Sequence, residues 1–383
     1  MDLEGRSKGL GLGMKAGIEA ALKDQTINGH RIQFVTLNDS YNPSKTIEAT
    51  NRLIEKNVLL FAGNVGTPTA KVSLPILAKN KIPAIGFFTG AGLLRSRKNT
   101  IINYRASYVQ ETKAVIDEAL KQGLTVENIC AYVQNDAYGM AGVMGIRRAL
   151  ENKSGGETVL KALDAVLHVS AKKGSEPERN GIGPVGVYMR NTFMARAGYD
   201  SLKAWEKKQG STCRLIVTVG SYASIARFIA YAKAKRQQQQ QQPWIFSAVS
   251  FTGADNFLTA LNSFSVHDHV IMTQVVPLAD SKLAIVQAAQ TALGKDYGYV
   301  SQEGYIVGKL LLYGLKKLEK NDEVINRENL IAVYQGKRFD LEGLEMDFSS
   351  DNQGSDFVVM TALKGDQWLP VKANTWHKWL NDK

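Results

Sequence analysis

Short β-rich runs and amphipathic helical runs alternate along most of this sequence with only a few turn residues between them, and that alternation constrains the fold more than any other feature. Strands linked through helices pair in parallel, and a parallel sheet needs helices on both of its faces. In the first third, periodicity predicts helices over residues 14–23, 44–56 and onward from Thr67, with strands over 32–37, 58–62 and 82–88. Thr67-Pro68 is a strong helix start, and Pro75 is expected to kink the turns after it. After Asn103-Tyr104-Arg105 the pattern begins again. Helices are predicted over 109–122, 139–152, 199–209 and 224–236, interleaved with strands over 129–134, 185–190, 215–219, 244–249 and 270–276. Two helices follow, over 282–293 and 303–318, and the stretch from Phe339 reads as β-hairpins.

A chain of 383 residues is longer than the roughly 250–300 residues a single core supports, so the restart marks a second doubly wound lobe. No apolar run approaches the ~20 residues of a membrane helix, which excludes a direct membrane span. The start, Met1-Asp2-Leu3-Glu4-Gly5-Arg6, lacks the basic and apolar regions of an export signal, so the chain as given carries no signal peptide. Forty-seven Lys and Arg against 36 Asp and Glu leave a net charge of +11, which attracts anions at long range. The basic residues are scattered beside acidic ones without a basic-aromatic motif, so no nucleic-acid partner is expected. Cys130 sits in a strand-like run and Cys213 just ahead of another, and both are expected to be buried free thiols. The glutamine run 237–242 and the polar stretch 172–183 read as solvated segments without an assigned function.

Two motifs suggest chemistry and fail on context. Gly11-Leu12-Gly13-Met14-Lys15-Ala16 has dinucleotide-loop spacing, with Asp39 closing the next strand, but that loop must follow a strand and residues 3–8 are polar and turn-like. The glycines are better explained as relief of crowding at a helix start. His267-Asp268-His269 faces three directions with no further ligand at helical spacing and reads as a loop. No G-x-S-x-G elbow, P-loop or H-E-x-x-H occurs, so neither an enzyme nor a cofactor or metal is called for. A nucleotide-dependent oxidoreductase survives only through the Gly11 loop.

The remaining candidates are strand-to-helix turns, where a parallel sheet binds ligands and helix N-termini offer free N–H groups. Gly63-Asn64-Val65-Gly66-Thr67-Pro68-Thr69 and Phe87-Phe88-Thr89-Gly90-Ala91 are two such turns in the first lobe. Gln134-Asn135-Asp136-Ala137-Tyr138-Gly139 and Val219-Gly220-Ser221-Tyr222 are their counterparts in the second. Hydroxyls and amides suit a carboxylate, and tyrosines give flat walls with a polar tip. Taken singly, Thr67 as a helix cap and the tyrosines as packing are sufficient explanations; four such turns together favour a ligand site.

Those turns carry a resemblance. Gly13-Met14-Lys15-Ala16-Gly17-Ile18-Glu19-Ala20-Ala21, Leu37-Asn38-Asp39-Ser40-Tyr41-Asn42-Pro43, the turns at Gly66, Phe88 and Asp136, Asn103-Tyr104-Arg105-Ala106-Ser107-Tyr108 and Ser301-Gln302-Glu303-Gly304-Tyr305 lie in matching order. The chain resembles the type I periplasmic solute-binding proteins of ABC importers, in the leucine/isoleucine/valine-binding branch, from about Gly5 to about Leu363. The resemblance implies an α/β fold of two doubly wound parallel-sheet lobes joined by three crossovers near Tyr104, Val276-Pro277 and Arg338, closing on ligand by hinge bending. Lobe 1 is then 1–104 with 277–337, and lobe 2 is 105–276 with 338–383. It also implies a periplasmic or extracytoplasmic solute receptor whose partners are a small-molecule ligand, an amino acid or related acid or amide, and a membrane permease. A ligand-sensing module of the same fold is the alternative. Gly66, Thr67, Phe88, Thr89 and Gly90 are implied to hold a ligand carboxylate, with Tyr138 and Tyr222 as aromatic positions of the second lobe.

The sequence departs from the family at two places. Family members have a central first strand, and this chain starts after the point where that strand ends, so a missing N-terminal strand and a truncated start are expected. The acidic residue that commonly meets a ligand ammonium aligns near Ser250-Phe251, where no carboxylate stands. A ligand cation is left with the faces of Tyr138 or Tyr222, with Asp136, or with Glu303, and deaminated carboxylates are expected to bind at least as well as amino acids.

Overall fold

The computed structural model describes residues 1–95, 100–170 and 175–381; the beginning of the polar stretch 172–183 lies outside them. The chain forms two compact units, Met1–Ser107 with Val275–Phe357 and Tyr108–Gln274 with Val358–Lys383, and passes between them three times.

In the first unit three short parallel strands, Phe61–Ala62, Ala84–Ile85 and Ile101–Ile102, pair in that order, and the bridge Val65 to Phe88 continues the first pair. Phe61, Ala84, Phe87 and Ile101 pack with Ala70, Leu77 and Leu94 in one core cluster. Helix Pro43–Glu55 starts where Asn42 accepts from the Ser44 amide and Pro43 fills the first turn, and helix Thr67–Lys79 runs past Pro75 to its end. The Lys8–Leu22 helix lies against the 22-residue Tyr299–Lys320 helix. A Cβ on Gly17 would collide with the Ser301 carbonyl, and one on Gly304 with the backbone of Met14, so the two backbones meet directly. Gly11 likewise faces the backbone of Asp2 and sits inside the helix, so the glycines serve packing and form no nucleotide loop.

Two expectations for this unit are corrected. Residues 32–37 form no strand, because no neighbouring strand pairs with them over that length. Residues 338–357 belong to the first unit rather than to lobe 2, so the third crossing falls after Phe357. The reason is packing: the antiparallel hairpin Arg338–Leu341 with Leu344–Asp347 carries Phe339, which stacks on Tyr313 with ring centres 3.9 Å apart. Phe348 then packs on Tyr334 and Phe339.

The second unit is built on a seven-stranded sheet in the order Gln367–Pro370, Val359–Lys364, Val270–Gln274, Ile245–Ala248, Leu215–Val219, Ile129–Gln134, Val185–Tyr188. The last five are mutually parallel and buried along their whole length, as expected for strands covered on both faces. The 359–364 and 367–370 pair adds an antiparallel edge. Helices Glu157–Leu167, Ala254–Ser263 and Ala373–Asn381 were not among the predicted elements. The glutamine run extends helix Tyr222–Gln238 by its first residues and then leaves it, with Gln241 and Gln242 accepting from Lys203 and Arg214.

The free-thiol expectation is overturned by a disulfide between Cys130 and Cys213. Cys130 lies in the Ile129–Gln134 strand, and Cys213 enters the neighbouring Leu215–Val219 strand, which brings their Cα atoms to 5.7 Å. Parallel neighbours that are 83 residues apart in sequence give no spacing signal for such a pair.

Candidate functional site

Each unit gathers a set of the predicted residues at the carboxyl ends of its strands. In the first unit, Gly66 occupies the N-cap position of helix Thr67–Lys79 with φ 107°, a conformation that favours glycine, and a Cβ there would run into the Tyr41 ring. Thr67 is therefore the first helical residue and its side chain does not cap the helix. Its hydroxyl meets that of Thr89 at 2.7 Å, both side chains being fully buried. The Gly66 amide donates to the Phe88 carbonyl at 3.2 Å and the Ala91 amide to Thr89 Oγ1 at 3.3 Å, so the turns at Gly66 and Phe88–Gly90 are held as one piece. Two hydroxyls at a helix N-terminus, beside amides that the helix leaves without internal partners, form an environment that favours negative charge.

The Arg105 guanidinium lies over the Phe88 ring, 4.7 Å from its centre, and 3.6 Å from Glu303 Oε1. Glu303 is 3% exposed. It thus faces the interior rather than solvent, and its charge is paired with an arginine. Arg105 was not singled out from the sequence; its place beside Asn103-Tyr104 in the crossing segment is the signal that could have marked it.

In the second unit, Asp136 caps helix Ala137–Leu150 by accepting from the Tyr138 amide at 3.0 Å and also accepts from Gln134 at 2.8 Å. Burial pushes the Asp136 carboxyl above its ordinary value, against the pull of Arg190 3.4 Å away. Tyr138 is fully buried against Phe251, ring centres 4.6 Å apart and edge to face, and against Tyr108 at 5.4 Å. Tyr188 accepts from the Ser221 amide ahead of half-buried Tyr222, and burial raises its phenol to about 12. The following turn exposes Met189, Phe193 and Met194, three apolar side chains that periodicity alone did not mark.

Ser250 and Phe251 begin the short turn Ser250–Thr252 after strand Ile245–Ala248. Here the structure adds a carboxylate that is distant in sequence. Glu111, fully buried on helix Tyr108–Lys121, accepts from the Ser250 amide at 2.7 Å, from its hydroxyl at 3.0 Å and from Thr273 Oγ1 at 2.6 Å. Ser250 is thereby fixed as an anchor for the turn that carries Phe251. Glu111 lies 139 residues from Ser250, and nothing local in the sequence joins them. The His267-Asp268-His269 stretch is a loop in which Asp268 pairs with Lys233, and among the described residues no cluster of acidic, histidine or cysteine side chains could hold a metal.

Residues 1–166 match the family model for periplasmic binding proteins. A possible leucine/isoleucine/valine-binding protein from Rhodopirellula baltica SH 1 is 30% identical over 100% of this chain and 96% of its own, with a TM-score of 0.81. The chain belongs to the type I periplasmic binding proteins, in the leucine/isoleucine/valine-binding branch. This periplasmic binding protein is also similar in fold to a branched chain amino acid ABC transporter protein from Thermus thermophilus with bound valine, at 14% identity over 98% and 96% of the two chains and a TM-score of 0.73. A solute binding protein of an ABC transporter from R. palustris, in complex with 4-hydroxybenzoate, is 15% identical over 97% and 94%, with a TM-score of 0.72. No curated protein matches the sequence. The family consists of extracytoplasmic solute-binding proteins of ABC transporters and not of enzymes, and solute binding is the general role of this chain. Among the described residues, no helix is long and apolar enough to cross a membrane.

Proposed function

We propose that this periplasmic binding protein captures a small organic carboxylate and delivers it to the permease of an ABC importer. The observation that carries the reading is the Thr67–Thr89 hydroxyl pair, buried at the N-terminus of helix Thr67–Lys79 and locked to the Phe88–Gly90 turn. Gly66, Thr67, Thr89 and Gly90 hold the carboxylate, with Phe88 beneath them. Tyr138, Phe251 and Tyr222 supply aromatic surface for the rest of the solute. The acids of the candidate set are committed elsewhere: Glu303 to Arg105, Glu111 to Ser250 and Thr273, and Asp136 to its cap. A ligand α-ammonium therefore has no dedicated partner in this reading. The disulfide in the second unit supports an oxidising, extracytoplasmic setting.

Calorimetry with matched pairs, leucine against 4-methylpentanoate and valine against 3-methylbutanoate, tests this directly. The deaminated acids should bind at least as tightly, and strict dependence on the α-ammonium overturns the reading. Thr67→Ala should weaken any carboxylate ligand by ~10-fold or more, the loss of one charge-assisted hydrogen bond worth about 1.4 kcal/mol or above. Unchanged affinity in that variant would place the anion site elsewhere.

A further inference from the structure

Behind the Phe88–Gly90 turn stands a side chain to which the solute-binding reading gives no part. Arg95 follows the short helical turn Gly92–Leu94 and is half-buried. Its Nη1 donates to the Ala91 carbonyl at 2.8 Å, and its Nη2 to the carbonyls of Arg105 at 2.9 Å and Ala106 at 3.3 Å. Its Nε donates to Gln353 Oε1 at 2.6 Å, across 258 residues of sequence.

The four acceptors belong to three stretches of chain. Ala91 closes the turn, where its amide donates to Thr89 Oγ1. Arg105 and Ala106 stand just ahead of the first passage out of the unit, after Ser107, and Gln353 just ahead of the third, after Phe357. The two outgoing segments also pair with each other. The Asn103 amide donates to the Asn352 carbonyl at 2.8 Å, and the Gly354 and Ser355 amides donate to the Asn103 and Tyr104 carbonyls at 2.9 Å. Gln353 is held from its other side too, where Nε2 donates to Asp356 at 2.5 Å.

The chemistry of the side chain suits that place. A guanidinium is a planar fork of five donors without an acceptor, so one arginine reaches oxygens on three stretches in fixed directions. A lysine ammonium carries its charge on a single atom and cannot span them. All four acceptors are uncharged oxygens, so the fork selects by direction, and each bond is strengthened by the charge of the donor.

We propose that Arg95 is a positioning residue for solute capture: it makes the Phe88–Gly90 turn and the two outgoing segments one mechanical piece, holding Thr89 and its neighbouring amides at the spacing a carboxylate needs. It touches no solute itself. The role in capture rests on the carboxylate reading of the turn; the mechanical link does not.

The test uses the whole chain and the variants Arg95→Ala and Arg95→Lys, the second keeping the charge without the fork. Residue-resolved hydrogen exchange should speed up by ~10-fold or more at Ala91, Gly354 and Ser355 together in both variants, the weight of one charge-assisted bond. The Phe61, Ala84 and Gly86 amides, which bond across the parallel sheet, should keep their rates. Unchanged exchange, faster exchange at Ala91 alone, or a uniform rise that includes the sheet overturns the proposal. So does full recovery of the wild-type rates in Arg95→Lys, which leaves the fork without a role. That variant also decides the matter should Arg95→Ala not fold. Calorimetry with 4-methylpentanoate and its carboxamide reads the role in capture. Arg95→Ala should lower the preference for the acid by ~5-fold or more, whereas a general loss of stability weakens both alike and overturns the positioning role. A wild-type protein with no preference for the acid overturns the carboxylate reading, and the exchange rates alone then decide the mechanical link.

Discussion

Reducing the Cys130–Cys213 bridge should lower the stability of the second unit by about 4.5 kcal/mol, the loop-closure entropy expected for a loop of this length. The two cysteines are 83 residues apart and both are buried, Cys130 in strand Ile129–Gln134 and Cys213 just ahead of the adjacent Leu215–Val219, so the bridge restricts a large part of the unfolded chain while tying two neighbouring strands of the sheet. The measurement is simple because all five tryptophans, Trp205, Trp244, Trp368, Trp376 and Trp379, lie in the second unit. Urea unfolding followed by tryptophan emission, with and without reductant, should give a clearly lower midpoint for the reduced protein. Coincident curves would show that the bridge contributes nothing to this unit.

The second large effect concerns Glu111. Glu111→Ala removes the acceptor for the Ser250 amide, the Ser250 hydroxyl and the Thr273 hydroxyl in one step. A buried donor left unsatisfied costs roughly 1–3 kcal/mol. The two hydroxyls can turn elsewhere, Thr273 toward the Ala248 carbonyl 3.3 Å away, but the amide cannot. A loss of about 3 kcal/mol is expected in the same tryptophan-detected transition, and a smaller one for Glu111→Gln, which keeps one acceptor oxygen. If Phe251 forms part of the solute site, both variants should also bind more weakly than their stability loss alone accounts for. A full affinity in the folded Glu111→Gln protein would separate the turn from the site.

What the sequence made legible follows the reach of each interaction. Strands Ile129–Gln134 and Leu215–Val219 are continuous apolar runs between clear turn residues, and their bounds are those that periodicity predicts. The turn at Asp136 was legible because capping chemistry is written within three residues, and the helix start at Thr67 because Pro68 suits a first turn, although the cap there is Gly66 rather than Thr67. Residues 32–37 show the limit of that logic: β-rich composition makes a strand only where a neighbour supplies the other half of the ladder. The disulfide, the Arg105–Glu303 pair and the Glu111–Ser250 anchor all join residues far apart in sequence. Each was invisible until the topology placed its two ends together. Phe339 packing on Tyr313 is the same case at the level of a unit boundary.

The direct contact of Gly17 with the start of the Tyr299–Lys320 helix also sets the order of events on the ribosome. The first unit cannot close around its N-terminal helix until the chain has been made beyond residue 320, whereas the five parallel strands of the second unit are complete by Gln274. Synthesis proceeds at roughly 5–20 residues per second, so the early helix waits about 15–60 seconds for its partner. During that interval the Gly17 groove, built to receive another backbone, is open to any chaperone or neighbouring chain. Assembly of the second unit can therefore precede that of the first, whose Lys8–Leu22 helix waits for a partner roughly 300 residues away.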